Sequence, residues 1–141
     1  MRLVTLSCTL LCLFACSSEK KPKASENDLD AARNFIQAAL AGDHKKAAQF
    51  MVNDSVNQNY LEVTARAFEH LDASVKEKYR GASIRIHQPV TYLNDSTTIV
   101  IFSNSYKNDP DTLRVCRMQG NWLVDLKYVF EPHSDTSTQN P

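Results

Sequence analysis

The sequence predicts an α+β domain, with helices in the first half packed on one face of a twisted antiparallel sheet. Three observations carry that reading. Apolar residues from Leu29 to Tyr79 recur at helical spacing, whereas from Ser83 onwards they alternate as strands do. Asn/Asp/Gly clusters punctuate both halves at the places where such elements must turn. The strand-like segments follow one another through short turns, the pattern of a meander of about four strands.

Asn27 or Asp28 caps a first helix in which Leu29, Ala32, Phe35, Ile36, Ala39 and Leu40 share a side. Gly42 closes it, because glycine takes the left-handed conformation that follows a helix end. Asp43 caps a short second helix with Ala47, Ala48, Phe50 and Met51 inward, and Asn53-Asp54-Ser55 breaks the pattern. A third helix is expected over about Asn59 to Leu71, with Tyr60, Val63, Thr64, Ala67, Phe68 and Leu71 on one side. Val75 and Tyr79 extend it or form a further turn before Gly81.

Ile84 and Ile86 alternate with Ser83, Arg85 and His87 in a first strand that ends near Pro89. Asn94-Asp95-Ser96 is turn chemistry, and Thr97 to Tyr106 is apolar on both faces, as a central strand is. Asn108-Asp109-Pro110-Asp111 turns the chain into Leu113 to Met118. Gln119-Gly120-Asn121 then makes a hairpin into a last strand on which Trp122, Val124, Leu126, Tyr128 and Phe130 have one parity. Trp122 is therefore expected to be the most sensitive core aromatic.

Composition excludes several classes. The 141 residues suit one domain, and a hydrophobic share of 43% with 23% charged residues argues against wholesale disorder. Sixteen acidic side chains cancel sixteen basic ones, so no basic excess recommends nucleic acid as a partner. Three glycines are too few for glycine-rich phosphate loops.

The N-terminus sets the expected compartment. Arg2 precedes an uncharged apolar run, Leu3 to Ala15, too short for a span of about 20 residues and suited to a signal peptide over residues 1–15. The run ends in Leu13-Phe14-Ala15-Cys16, which resembles the bacterial lipobox, although Phe14 is bulkier than usual at its position. The resemblance implies cleavage before Cys16 and lipidation of its thiol, with membrane lipid as the first partner through the acylated N-terminus. Cys8 and Cys12 leave with the signal, so Cys116 remains without a disulfide partner and reads as a packed strand residue despite nearby Arg114 and Arg117. Residues 16–27 form a polar tether reaching roughly 18 Å. Residues 131–141 are a core-poor tail, which leaves 28–130 as the foldable domain.

A helix ending Ala39-Leu40-Ala41-Gly42-Asp43, a short alanine-containing helix, and a terminal hairpin on Gly120-Asn121-Trp122-Leu123-Val124 together resemble the nuclear transport factor 2-like superfamily. More narrowly, the chain is similar to small bacterial lipoproteins of that superfamily. The resemblance spans about residues 28–130 and implies a cone, a bent sheet wrapping the helices around a pocket at its open end. Members include isomerases, cyclases and dehydratases as well as binding and dimerising modules, so a homodimer is among the partners it allows. Fold alone does not settle function.

The enzymes of that superfamily imply a carboxylate base facing the pocket, with a tyrosine or protonated acid as donor. On parity, Asp125 and His87 lie opposite the apolar faces at Trp122, Val124, Ile84 and Ile86, so both are expected to face solvent or a partner and not to form a catalytic pair. Tyr92 and Tyr128 are the pocket candidates. His44, His70, His87 and His133 lack any zinc-ligand spacing, no nucleophile elbow is present, and no cofactor signature appears. Lys45-Lys46 is too short a run for an anionic partner. The expected function is thus a non-catalytic binding module on a lipid anchor, in the cell envelope. Ser17 after the lipid cysteine favours the outer membrane, facing the periplasm. The ligand is a small amphipathic molecule in the cone or a protein on the outer sheet face. The alternative is an isomerase- or cyclase-like enzyme with a pocket built from Tyr92, Tyr128 and helix residues.

Overall fold

A computed structural model describes residues 24–130. The signal segment, Cys16, most of the tether and the tail lie outside the described residues.

Local capping starts each of the first helices. Helix α1 (Asp28–Ala41) begins where the Asn27 side chain accepts the Asp30 N–H at 2.9 Å, and it ends at Gly42 with φ 77°. A Cβ at Gly42 would collide with the Phe68 ring, so the position needs glycine for space as well as for conformation. Asp43 caps α2 (His44–Ala47) through Lys46 N, and a 3-10 turn, Ala48–Phe50, continues it.

The third helix differs from expectation. Asp54 does more than break the pattern: its side chain accepts the Asn57 N–H at 2.9 Å and starts α3 at Ser55, running to Glu69. Val75 and Tyr79 belong to a separate helix, α4 (Ala73–Arg80).

The sheet has five strands: β1 (Ile84–Ile86), β2 (Thr91–Asn94), β3 (Thr97–Asn104), β4 (Asp111–Met118) and β5 (Asn121–Asp125). All pairings are antiparallel, in the order β1-β3-β4-β5, with β2 also on β3. The count exceeds the expected four because β1 and β2 lie end to end along β3, opposite Phe102–Asn104 and Thr97–Ile99 respectively. Pro89, which has no N–H for a ladder, stands in the gap between them. The β4–β5 hairpin turns through Gln119 (φ 50°) and Gly120 (φ 84°), the paired positive φ of a tight hairpin.

One face of the sheet packs on α1. Val100, Leu113, Val115, Val124 and Leu126 meet Ala31, Ala32, Phe35 and Ile36, with Phe50 and Met51 closing one side. The alanines bring the helix close to the sheet. Met51 bridges Val124, and Val52 N–H donates to the Val124 carbonyl at 2.9 Å, so the chain after α2 runs beside β5.

The last expected strand stops early. After Asp125 the chain turns into α5 (Lys127–Phe130), so Tyr128 and Phe130 do not continue the core face of β5. The cause is long-range. Asn57, fully buried on α3, accepts the Leu126 N–H at 2.7 Å, and Lys127 donates to Asp54 at 2.8 Å. These bonds take the backbone where a ladder would otherwise run. Trp122 is on the core face yet only half-buried, at the hairpin end with Arg117 over its ring; Phe35 and Phe50 lie deeper.

Candidate functional site

Between the helices and the sheet lies a cavity of about 540 Å³. Its floor is α1 and the sheet: Phe35, Ile36, Ala39 and Leu40, with Phe102 and Leu113. Its far wall is the inner side of α3, namely Thr64, Ala67 and Phe68, followed by Leu71 and by Tyr79 of α4. Leu126, Val129 and Phe130 close one end, and Phe130 is held there by stacking on Tyr60 at 4.6 Å. The opening is polar: Asn104, Lys107, Asp109, Asp111 and His44. Thr64 and Ala67 remain exposed although they face inward, because α3 stands off from the sheet and leaves the space open.

Aromatic contacts brace the wall. His44 meets the Phe68 ring edge-on at 5.7 Å and points Nδ1 at the Gly42 carbonyl, 3.1 Å away. Tyr79 lies between Phe68 and Tyr106, and Lys78 sits over the Tyr106 ring at 5.5 Å. The size and lining suit a small amphipathic molecule: an apolar interior with a few polar groups at one end.

The tyrosines expected to build the pocket do not line it. Tyr92 is 66% exposed on β2, beyond the helices' cover. Tyr128 lies on α5 against the Arg114 guanidinium, 5.6 Å from ring to charge, because the chain leaves the sheet before it.

The outer face corrects a further expectation. Parity does set His87 and Asp125 opposite the apolar face, but neither simply faces solvent. Asp125 is 6% exposed and bonds Arg114 at 2.5 Å, with Lys127 3.9 Å away. His87 is half-buried, its Nε2 3.0 Å from the Oγ of buried Ser103. The structure does not bring the two together: β3 and β4 lie between their strands, about 14 Å at ordinary strand spacing. Cys116, on the same face, is half-buried, and burial pushes its thiol pKa up while Arg114 offsets part of that effect. Such a thiol is a poor nucleophile near neutral pH.

Among the described residues, Asp54 is the carboxyl whose pKa is shifted. The Asn57 backbone N–H and then Lys127 hold its pKa down at about 2, and the same bond to Asp54 raises that of Lys127. This pair ties α3 to α5 and lies outside the cavity lining. Among the described residues, no three His, Cys, Asp or Glu side chains are grouped to hold a metal ion. No described helix is long and apolar enough to cross a membrane.

No protein-family model matches the chain, and no curated protein or solved structure was found to be significantly similar to it.

The sequence already placed Thr64, Ala67, Phe68 and Leu71 on one side of a helix. It did not reveal that this side faces a void. The missed residues are Asn104 and the turn Lys107–Asp111, which act together only once β3 returns beside α3. The available signal was small: Asn104 is a polar residue on the face of β3 that carries Val100 and Phe102.

Proposed function

We propose that the chain is a bacterial lipoprotein of the nuclear transport factor 2-like kind, anchored through Cys16 to the outer membrane and facing the periplasm. Its domain holds a small amphipathic ligand without turning it over. The observation that carries this reading is the cavity: about 540 Å³, mainly apolar inside, with its charged side chains at the opening. A general base needs a held position within reach of the substrate's proton. The lining carboxylates, Asp109 and Asp111, are exposed at the opening. The enzyme alternative is left without the two tyrosines it was built on. The lipid anchor rests on Leu13-Phe14-Ala15-Cys16, since two or more acyl chains make anchoring stable.

Native mass spectrometry of the protein released from its own membranes tests both halves. The expected result is an acylated N-terminal cysteine together with a bound small molecule that Ala67→Trp, which fills the cavity, removes. Cys16→Ala should leave uncleaved, unacylated precursor. An unmodified mature N-terminus elsewhere overturns the anchor, and retention of the small molecule by Ala67→Trp overturns the cavity as its site.

A further inference from the structure

The opening of the cavity specifies which kind of amphiphile fits. Asn104 is the last residue of β3 and lies on the cavity-facing side of the sheet. Its Oδ1 accepts two backbone N–H groups of the following turn, Tyr106 at 3.1 Å and Lys107 at 3.0 Å. Those bonds fix which end of the amide is oxygen, so Nδ2 is the end left over. Among the described residues Nδ2 has no acceptor. Asn104 is half-buried with Nδ2 still open to water, and a ligand that displaces that water must offer Nδ2 an acceptor or leave it unpaired at a cost.

Charge at the same opening limits what can pair with it. Asp109 and Asp111 put two carboxylates there against one ammonium, Lys107, with His44 on the helix side. An anionic head meets two like charges. A cationic head meets only one, and its attraction to the two exposed carboxylates is weak in water; an ammonium also carries no lone pair for Nδ2. An uncharged head with an oxygen acceptor and an N–H or O–H donor satisfies both: its oxygen accepts from Asn104, and its donor faces the Asp111 carboxylate.

Resting on the cavity as a binding site, we infer that its ligand is an uncharged amphiphile, an amide or hydroxyl head on an apolar body, and that Asn104 Nδ2 reads the head's oxygen. Asn104 is a specificity residue here, not a fold residue alone.

The test uses the full chain in its own membrane vesicles and three probes that carry the same diazirine in one apolar body, which loses N2 on irradiation: the diazirine analogues of decanamide, decanoate and decylamine. At about pH 7 the second is an anion and the third a cation. The expected result is labelling of the peptides around Ala67 and Phe102 by decanamide at roughly tenfold lower concentration than by either charged probe, the factor one hydrogen bond of about 1.4 kcal/mol provides. Asn104→Asp keeps an oxygen for the two turn N–H groups but puts a carboxylate where the donor was, so it should abolish the preference for decanamide over decylamine while still disfavouring decanoate. Asp111→Asn keeps the oxygen that accepts the Thr112 N–H and should raise labelling by decanoate. Equal labelling by all three probes, or an unchanged preference for decanamide over decylamine in Asn104→Asp, overturns this inference while the cavity remains a binding site. No labelling of those peptides by any probe overturns both.

Discussion

Two halves of the same small domain are built differently. Where α1 meets β3, β4 and β5, side chains such as Ala31, Ala32, Val100, Val115 and Val124 have no exposed surface at all. Along α3 only Asn57 and Leu61 are buried, both in its first half, and α4 buries none of its residues. Stability therefore belongs to the α1–sheet half. The α3–α4 arm is held at its ends, by Asn57 and Lys127 at one and by the His44–Phe68 and Tyr79–Tyr106 contacts at the other, and its middle spans the cavity. An arm that gives up burial to keep a space open is what a binding site needs, because low local stability is characteristic of segments that meet ligands.

The sharpest way to break this comparison is at Phe50. It is 6% exposed, packs in the core cluster and does not line the cavity, so Phe50→Ala should cost about 3–5 kcal/mol in urea denaturation. Trp122→Ala should cost less, because that ring is only partly buried. An equal loss at Trp122 would move the centre of the core to the hairpin end. Val100→Ala comes next, at about 2 kcal/mol: two buried methyl groups at roughly 0.8 kcal/mol each, and a cavity term.

Asn57→Ala probes the join between the halves. The side chain accepts Leu126 N–H at 2.7 Å and donates to Asp54 at 3.0 Å, with no exposure to water. Its removal leaves a buried N–H unpaired, a loss of about 1–3 kcal/mol, less than that of Phe50→Ala. Hydrogen exchange at Leu126 N–H should accelerate at the same time. Slow exchange there in the variant would show that α5 is held by something other than Asn57.

How much of this was legible in the sequence depends on range. Asn27, Gly42 and Asp43 act on the backbone within three residues, so α1 and α2 could be placed from the chain itself. Asp54 is equally local: the Asn53-Asp54-Ser55 break in the apolar pattern also carries the side chain that caps Asn57. The end of β5 was not readable. Leu126, Tyr128 and Phe130 keep strand parity; Asp125 accepts the Lys127 N–H locally, but Asn57 and Asp54, more than sixty residues away, hold the chain off the sheet. Asp125 was misjudged for a related reason: parity gives the face, but Arg114 decides that this face is covered. The cavity needed the most information, since its walls come from α1, α3, α4, α5 and the sheet together.

The Asp54–Lys127 pair adds a pH signature to the join. The carboxyl pKa falls from 3.8 to about 2 on folding, so its stabilisation is fully present above the unfolded value and disappears as pH drops from about 4 to 2. For Lys127 the folded pKa is raised, so its contribution is present below 10.5 and is lost as pH climbs through the raised value. Between those limits the pair should be indifferent to pH. Asp54→Asn keeps an oxygen for the Asn57 N–H and removes the charge, so it should flatten the acid limb of a stability–pH curve. An unaltered acid limb would assign it to another carboxyl.

The smallest expected effect is also the most direct contrast with the core. Val63→Ala deletes the same two methyl groups as Val100→Ala, but Val63 is 44% exposed in the middle of α3. Little burial is lost, and no enclosed void is left behind. Alanine also loses less conformational freedom in a helix than β-branched valine, by a few tenths of a kcal/mol. The two terms oppose each other, so the net change should lie within about 0.5 kcal/mol of zero and can favour the variant. A loss at Val63 approaching that at Val100 would mean that α3 packs against something along its middle. Val63 does not line the cavity, so that contact would lie on another face of the arm, and the arm would be covered there in solution.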